Sequence, residues 1–178
     1  MLKIDDLVTE LKIEEMAHCA SQMCRWRGRY EWISLAEHSV NVYDIIALKP
    51  YSNHQKHVED MRLALSHDLC EAVGFGDVIS PIKKAVAIYH DENIHGLRDF
   101  EHLLTAKLFK SIWGQTIQNY SESHLVVKEA DRIALELEKM HHGLPFDERI
   151  VKNTFVRISG WSPRRAKDEF LARYEEIK

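Results

Sequence analysis

Between Leu63 and Asp77 the chain reads LALSHDLCEAVGFGD, and no other stretch limits its folding options as much. Helical positions three and four apart share a face, so the adjacent pair His67 and Asp68 and the acid Glu71 one turn later converge on one side of a helix. Leu63, Ala64, Leu65 and Leu69 surround them with apolar side chains. Carboxylates and an imidazole bedded in a core need compensation, and a divalent cation supplies it by taking deprotonated nitrogen and oxygen ligands. The spacing predicts a central helix, starting near His57 and reaching Glu71, that offers a metal-binding face. Taken alone, a His-Asp pair fits equally a solvated helix surface or a core histidine bonded to a carboxylate. Its meaning depends on partners elsewhere.

The other segments repeat at helical spacing. Ile13, Met16, Ala17, Ala20, Met23 and Cys24 predict a first amphipathic helix over residues 12–24. Arg25-Trp26-Arg27-Gly28-Arg29-Tyr30 then packs three guanidiniums and two aromatic rings into six residues. Arginine binds phosphate bidentately and tryptophan stacks on bases, although the same residues also suit a helix C-terminus with a ring over the core edge. Ser34 is a plausible N-cap for a second helix with Ala36, Val40, Tyr43, Ile46 and Ala47 on one face and His38 beside it. Lys49-Pro50-Tyr51-Ser52-Asn53 ends that helix.

After Glu71, Gly74-Phe75-Gly76-Asp77 breaks the central helix, and Ser80-Pro81 offers an N-cap and a proline at the first helical position. Lys83 and Lys84 at this bend would suit phosphate oxygens, and Asp77 could exchange a proton with a leaving group; a Gly-Asp turn with solvated lysines is the plainer reading. Further helices are expected over Asp99 to Trp113, ended by Gly114, over Ser123 to Met140, and from Ser162-Pro163 onward with Ala166, Phe170, Tyr174 and Ile177 inward. Asp131 interrupts the apolar stripe of Ser123 to Met140, and a carboxylate there needs a partner. The second pair, His90-Asp91, lies in a polar stretch and reads as surface. His141-His142 suits a helix C-terminus. Strand-like alternation is nearly absent, and the fold class is all-α with five to seven helices.

With 178 residues, 45% hydrophobic and 29% charged, the chain has the make-up of one soluble domain with a sizeable core. A net charge of −4 argues against wrapping nucleic acid and leaves room for a local basic pocket for a small anion. Cys19, Cys24 and Cys70 are odd in number and lack CxxC spacing, which suits a reducing, cytoplasmic setting. No apolar run approaches the roughly 20 residues that span a bilayer, and the acidic start MLKIDDLVTELKIEE does not look like an export signal.

His38, then His67-Asp68, then Asp131 resembles the H…HD…D signature of the HD-domain metal-dependent phosphohydrolases. Arg25-Trp26, AEHS at 36–39, SHDLCEA at 66–72, Gly76-Asp77, Ser80-Pro81 with Lys83, and EADRIA at 129–134 are similar to the bacterial 5′-deoxynucleotidase branch and its small phage relatives, the dATP triphosphohydrolases. The resemblance covers roughly residues 13–140, with the C-terminal helix at about 162–177 completing one HD-type domain. It implies that His38, His67, Asp68 and Asp131 hold one divalent ion per subunit (Co²⁺, Mn²⁺, Mg²⁺ or Zn²⁺) and that Glu71 and Asp77 manage the water and the leaving oxygen. It further implies that Arg25 and Lys83 clamp phosphate, that Trp26 faces the sugar or base, and that the subunits form a dimer or larger. Arg27-Gly28-Arg29 adds charge that would accommodate more than one phosphate. The expected substrate is a deoxynucleotide, either dATP cut to deoxyadenosine and triphosphate or a monophosphate cut to deoxynucleoside and phosphate. Two other classes fit the same residues: a non-catalytic nucleotide sensor, and an all-α interaction protein with a metal-free buried network.

Overall fold

Ser34 starts the helix on which the others assemble: its hydroxyl accepts a hydrogen bond from the Glu37 amide at 3.1 Å, satisfying one of the free N–H groups of the first turn. The computed structural model describes Val8 and residues 11–75, 87–90 and 93–178. Seven α-helices stand among these residues, within the expected five to seven, and only the four-residue α6 is not anticipated by periodicity: α1 (Ile13–Gln22), α2 (Leu35–Ala47), α3 (His54–Ser66), α4 (Leu97–Trp113), α5 (Tyr120–His141), α6 (Glu148–Val151) and α7 (Pro163–Ile177). Helix α2 buries nearly all its residues, polar ones included, because α1, α3, α5 and α7 all pack against it. Helix α7 closes the bundle with Ala166, Phe170, Tyr174 and Ile177, the face its spacing predicts. Burying a ring such as Phe170 stabilises the fold by about 1.5–3 kcal/mol.

Two helices begin three residues earlier than apolar spacing suggests. Asn53 accepts from the Lys56 amide at 3.1 Å and starts α3 at His54. Asn119 caps α5 in the same way, so that helix begins at Tyr120. Both first turns are largely polar, and periodicity has little to detect there. Gly114 ends α4 in the left-handed conformation, φ 68°, where glycine carries no Cβ penalty.

The central helix also stops earlier than expected. Helix α3 ends at Ser66, His67 and Asp68 form a turn, and Glu71–Phe75 is a wider π-helical segment. The pair therefore projects from a helix terminus, at a local irregularity of the kind that often marks a functional site. A short antiparallel ribbon, β1 (Ala87–His90) with β2 (Asn93–Gly96), precedes α4. Four-residue strands are too short for alternation to reveal. Asp77, Lys83 and the Ser80-Pro81 start lie outside the described residues, as does Asp91.

Candidate metal centre

Three parts of the chain bring the site together. The first is a 3₁₀ turn, Arg25–Gly28, held at its neck by the Arg25 amide on the Ile33 carbonyl and the Leu35 amide on the Met23 carbonyl, each 2.9 Å. The second is the first turn of α2, with His38. The third is the α3 terminus facing α5, with His67 and Asp68 opposite Asp131.

Each imidazole is oriented from behind. His67 donates its Nδ1–H to the Ala64 carbonyl at 2.7 Å. His38 donates Nδ1–H to the Glu138 carboxylate, also at 2.7 Å. A ring fixed at Nδ1 presents Nε2 forward, and this backing is common behind metal-ligating histidines. Both Nε2 atoms are buried without a hydrogen bond, yet carboxylates crowd them. His38 Nε2 lies 3.0 Å from Asp131 Oδ1 and 3.8 Å from Asp68 Oδ2, and His67 Nε2 lies 3.2 Å from Asp68 Oδ2.

Those separations suit a shared cation. Bonds of about 2.0–2.2 Å to nitrogen and oxygen place adjacent ligands about 3 Å apart. His38, His67 and Asp68 offer one ligand atom each within 4.8 Å of one another, a group that could hold a metal ion, and Asp131 adjoins it through His38.

Glu138 is the site residue that sequence reasoning missed. Its side chain is fully buried, and besides His38 it accepts from Trp26 Nε1 at 2.8 Å and Arg25 Nε at 3.2 Å. Burial opposes its charge, but Arg25 and His38 hold its pKa down at about 2. A signal was present, since Asp131 and Glu138 are seven residues, almost two turns, apart on one helix. Its partner His38, however, is 100 residues distant.

The same geometry places Arg25 and Trp26. The Arg25 guanidinium spans Glu138 and Asp68, the latter at 3.5 Å from Nη1. Trp26 takes a positive φ of 57°, which costs a bulky residue roughly 1–2 kcal/mol. Its bond to the charged Glu138 is worth about 1.5–3 kcal/mol and offsets this. The indole also meets Tyr30 and His142 edge-on at 5.8 Å. The Arg27 side chain lies outside the described residues.

Charge balance constrains what occupies the centre. Asp68, Asp131 and Glu138 face Arg25 and two imidazoles, so neutrality requires two further positive charges. Protons on both rings supply them, or one divalent ion between two neutral rings does. Burial and Arg25 disfavour the His38 imidazolium, but Glu138 and Asp131 prevail and raise its pKa to about 9. Burial likewise opposes ionisation of Asp68, yet His67, His38 and Arg25 hold it well below the usual carboxylate range.

The centre opens onto a cavity of about 320 Å³ whose lining includes His67, Asp68, Glu71 and Asp131. Glu71 sits in the π-helical segment and is largely buried. Arg25 and Trp26 do not line this cavity; Tyr120, His124 and His102 supply its rings. A scan against protein-family models finds none that matches the chain, and a search of curated proteins finds no match either.

Proposed function

We propose that this protein is a metal-dependent phosphohydrolase that cleaves the 5′ phosphoester of a deoxyribonucleotide, with dATP or a deoxynucleoside monophosphate as substrate. The observation that carries the reading is the pair of buried Nε2 atoms, His38 and His67, each oriented by a bond at Nδ1 and aimed at Asp68 and Asp131. Together with the sequence resemblance, this favours one divalent ion on His38, His67, Asp68 and Asp131. Such an ion offsets charge on phosphoryl oxygens and lowers the pKa of a bound water.

The remaining chemistry falls to the chain's own groups. Glu71, on the wall of the same cavity, takes the proton of the water that attacks phosphorus, and the resemblance assigns Asp77 to return a proton to the departing 5′ oxygen. Arg25 balances Asp68 and Glu138 as well as any phosphate it meets. Lys83 and Arg27 enter as phosphate ligands on the resemblance alone, as does a dimer or larger assembly in the cytoplasm. Among the described residues no helix is long and apolar enough to cross a membrane.

The test is to supply the protein and Asp68→Ala with each candidate metal, offer the four dNTPs and four dNMPs, and resolve the products. Triphosphate and deoxyadenosine from dATP, or phosphate from monophosphates, with loss in Asp68→Ala, support the reading. No product with any metal overturns it. One observation favours a second reading, a metal-free buried network: with both imidazoles protonated the centre is already neutral. Metal content of the purified protein separates the two.

A further inference from the structure

Three nitrogen groups converge on one oxygen. Asp68 Oδ2 lies 3.2 Å from His67 Nε2, 3.5 Å from Arg25 Nη1 and 3.8 Å from His38 Nε2. Both rings are oriented by bonds at Nδ1, so this is the Asp68 oxygen that an ion held by the two Nε2 atoms would take. An oxygen bonded to a divalent ion has less negative charge to offer a guanidinium, and two cations beside one carboxylate repel one another. Arg25 and the ion are therefore rivals for Asp68.

Arg25 has a second carboxylate to fall back on. Its Nε donates to Glu138 Oε2 at 3.2 Å, and the same oxygen accepts from Trp26 Nε1 at 2.8 Å. The Glu138 side chain is fully buried and that of Arg25 is 17% exposed, so water screens little of their attraction. The guanidinium thus divides its charge between two acids, Nε toward Glu138 and Nη1 toward Asp68. Arg25 also begins the turn Arg25–Gly28, in which Trp26 keeps a positive φ of 57°. A bulky residue holds that conformation only where surrounding bonds enforce it. Glu138 bonds Arg25 and Trp26 alike, and the turn stays seated when the Nη1 contact is given up.

We propose that Arg25 competes with the metal ion for Asp68: the guanidinium holds metal affinity down, and a bound ion frees its Nη1 arm while Nε stays on Glu138. The proposal rests on the metal centre of the phosphohydrolase reading and adds a means of regulating that centre. A residue that only braced the fold would support metal binding, and its loss would weaken it. A competitor gives the opposite sign.

Zn²⁺ is the probe, titrated calorimetrically into the full chain, Arg25→Gln and Arg25→Lys, each freed of metal by chelation, with affinities corrected for the protons released. Arg25→Gln should bind Zn²⁺ about tenfold more tightly, the low end of the scale on which one charge about 4–6 Å away shifts the proton affinity of a carboxylate. Arg25→Lys keeps the charge and should stay within about threefold of the unsubstituted protein. Exchange of the Arg25 side-chain N–H groups with water, followed by NMR in the unsubstituted protein, should quicken at Nη and hold steady at Nε as Zn²⁺ saturates. This second readout stands even if Arg25→Gln does not fold. Equal or weaker Zn²⁺ binding by folded Arg25→Gln, or Nη exchange unmoved by Zn²⁺, overturns the competition. Turnover of the deoxynucleotides by the same preparations separates the two ideas. Zn²⁺ affinity that responds to Arg25→Gln without turnover under any metal defeats the phosphohydrolase reading alone, and metal-dependent turnover with Zn²⁺ affinity indifferent to Arg25→Gln defeats the competition alone.

Discussion

Glu37 and His38 are neighbours in α2, both wholly buried, and they are treated in opposite ways. The Glu37 carboxylate accepts the amides of Trp161 at 2.7 Å, Gly160 at 3.0 Å and Ser159 at 3.3 Å. It is a clamp that holds the approach to α7. His38 is satisfied only at Nδ1, and its Nε2 faces two carboxylates without a hydrogen bond. A buried polar group whose partners are complete is part of the scaffold; one aimed at groups that cannot satisfy it requires a proton or a cation. Adjacent positions on one helix thus serve architecture and chemistry because they face different neighbours.

The sharpest way to break this contrast is Glu37→Ala, which strands the buried Trp161 amide and the half-buried pair before it, and removes the carboxylate that gathers all three. Denaturant unfolding should show a loss of about 3 kcal/mol or more, with metal affinity of the folded fraction unchanged. A large fall in affinity would mean that the two positions are not separable. Next comes Asp68→Ala. Divalent metal at about 100 times its Kd should stabilise the unsubstituted protein by about 2.7 kcal/mol and leave this variant unmoved, read as the shift in its thermal midpoint.

Glu138→Gln keeps an acceptor for His38 Nδ1 but removes the charge behind it. Metal affinity by calorimetry should fall about 10- to 100-fold, the usual scale for partners of ligating histidines. No change would make Glu138 purely structural. The smallest effect is protonic. If one ion replaces two protons, calorimetry in buffers of different ionisation heat should count about two protons released per metal near neutral pH. Without metal, the His38 contribution is complete below the ordinary imidazole pKa and is lost as pH rises through about 9. Metal-loaded protein should keep its stability over that range, and parallel curves for the two forms would count against exchange.

Much of the fold was legible in the sequence because helix formation is local. The inward faces of α5 and α7 follow from 3.6-residue spacing alone, and the end of α4 follows from Gly114, the residue that takes a left-handed cap without penalty. Asn53 and Asn119 shifted two helix starts because a cap is a single polar side chain before a polar turn, and the β1–β2 ribbon offered too few residues to alternate.

For the centre, sequence order and resemblance named His38, His67, Asp68 and Asp131, and the structure brings their side chains together. Glu138 was not visible as such, since it takes its meaning from Arg25, Trp26 and His38, all distant in the chain. Arg25 and Trp26 were expected to meet substrate, and the structure ties both to Glu138. By itself, the sequence determined an all-α chain with histidines and carboxylates spaced on helical faces, because those properties depend on neighbours within a turn or two. Tertiary packing alone decided which lone pairs are satisfied and which meet uncompensated charge, because burial strengthens electrostatic interactions only once distant helices have excluded water.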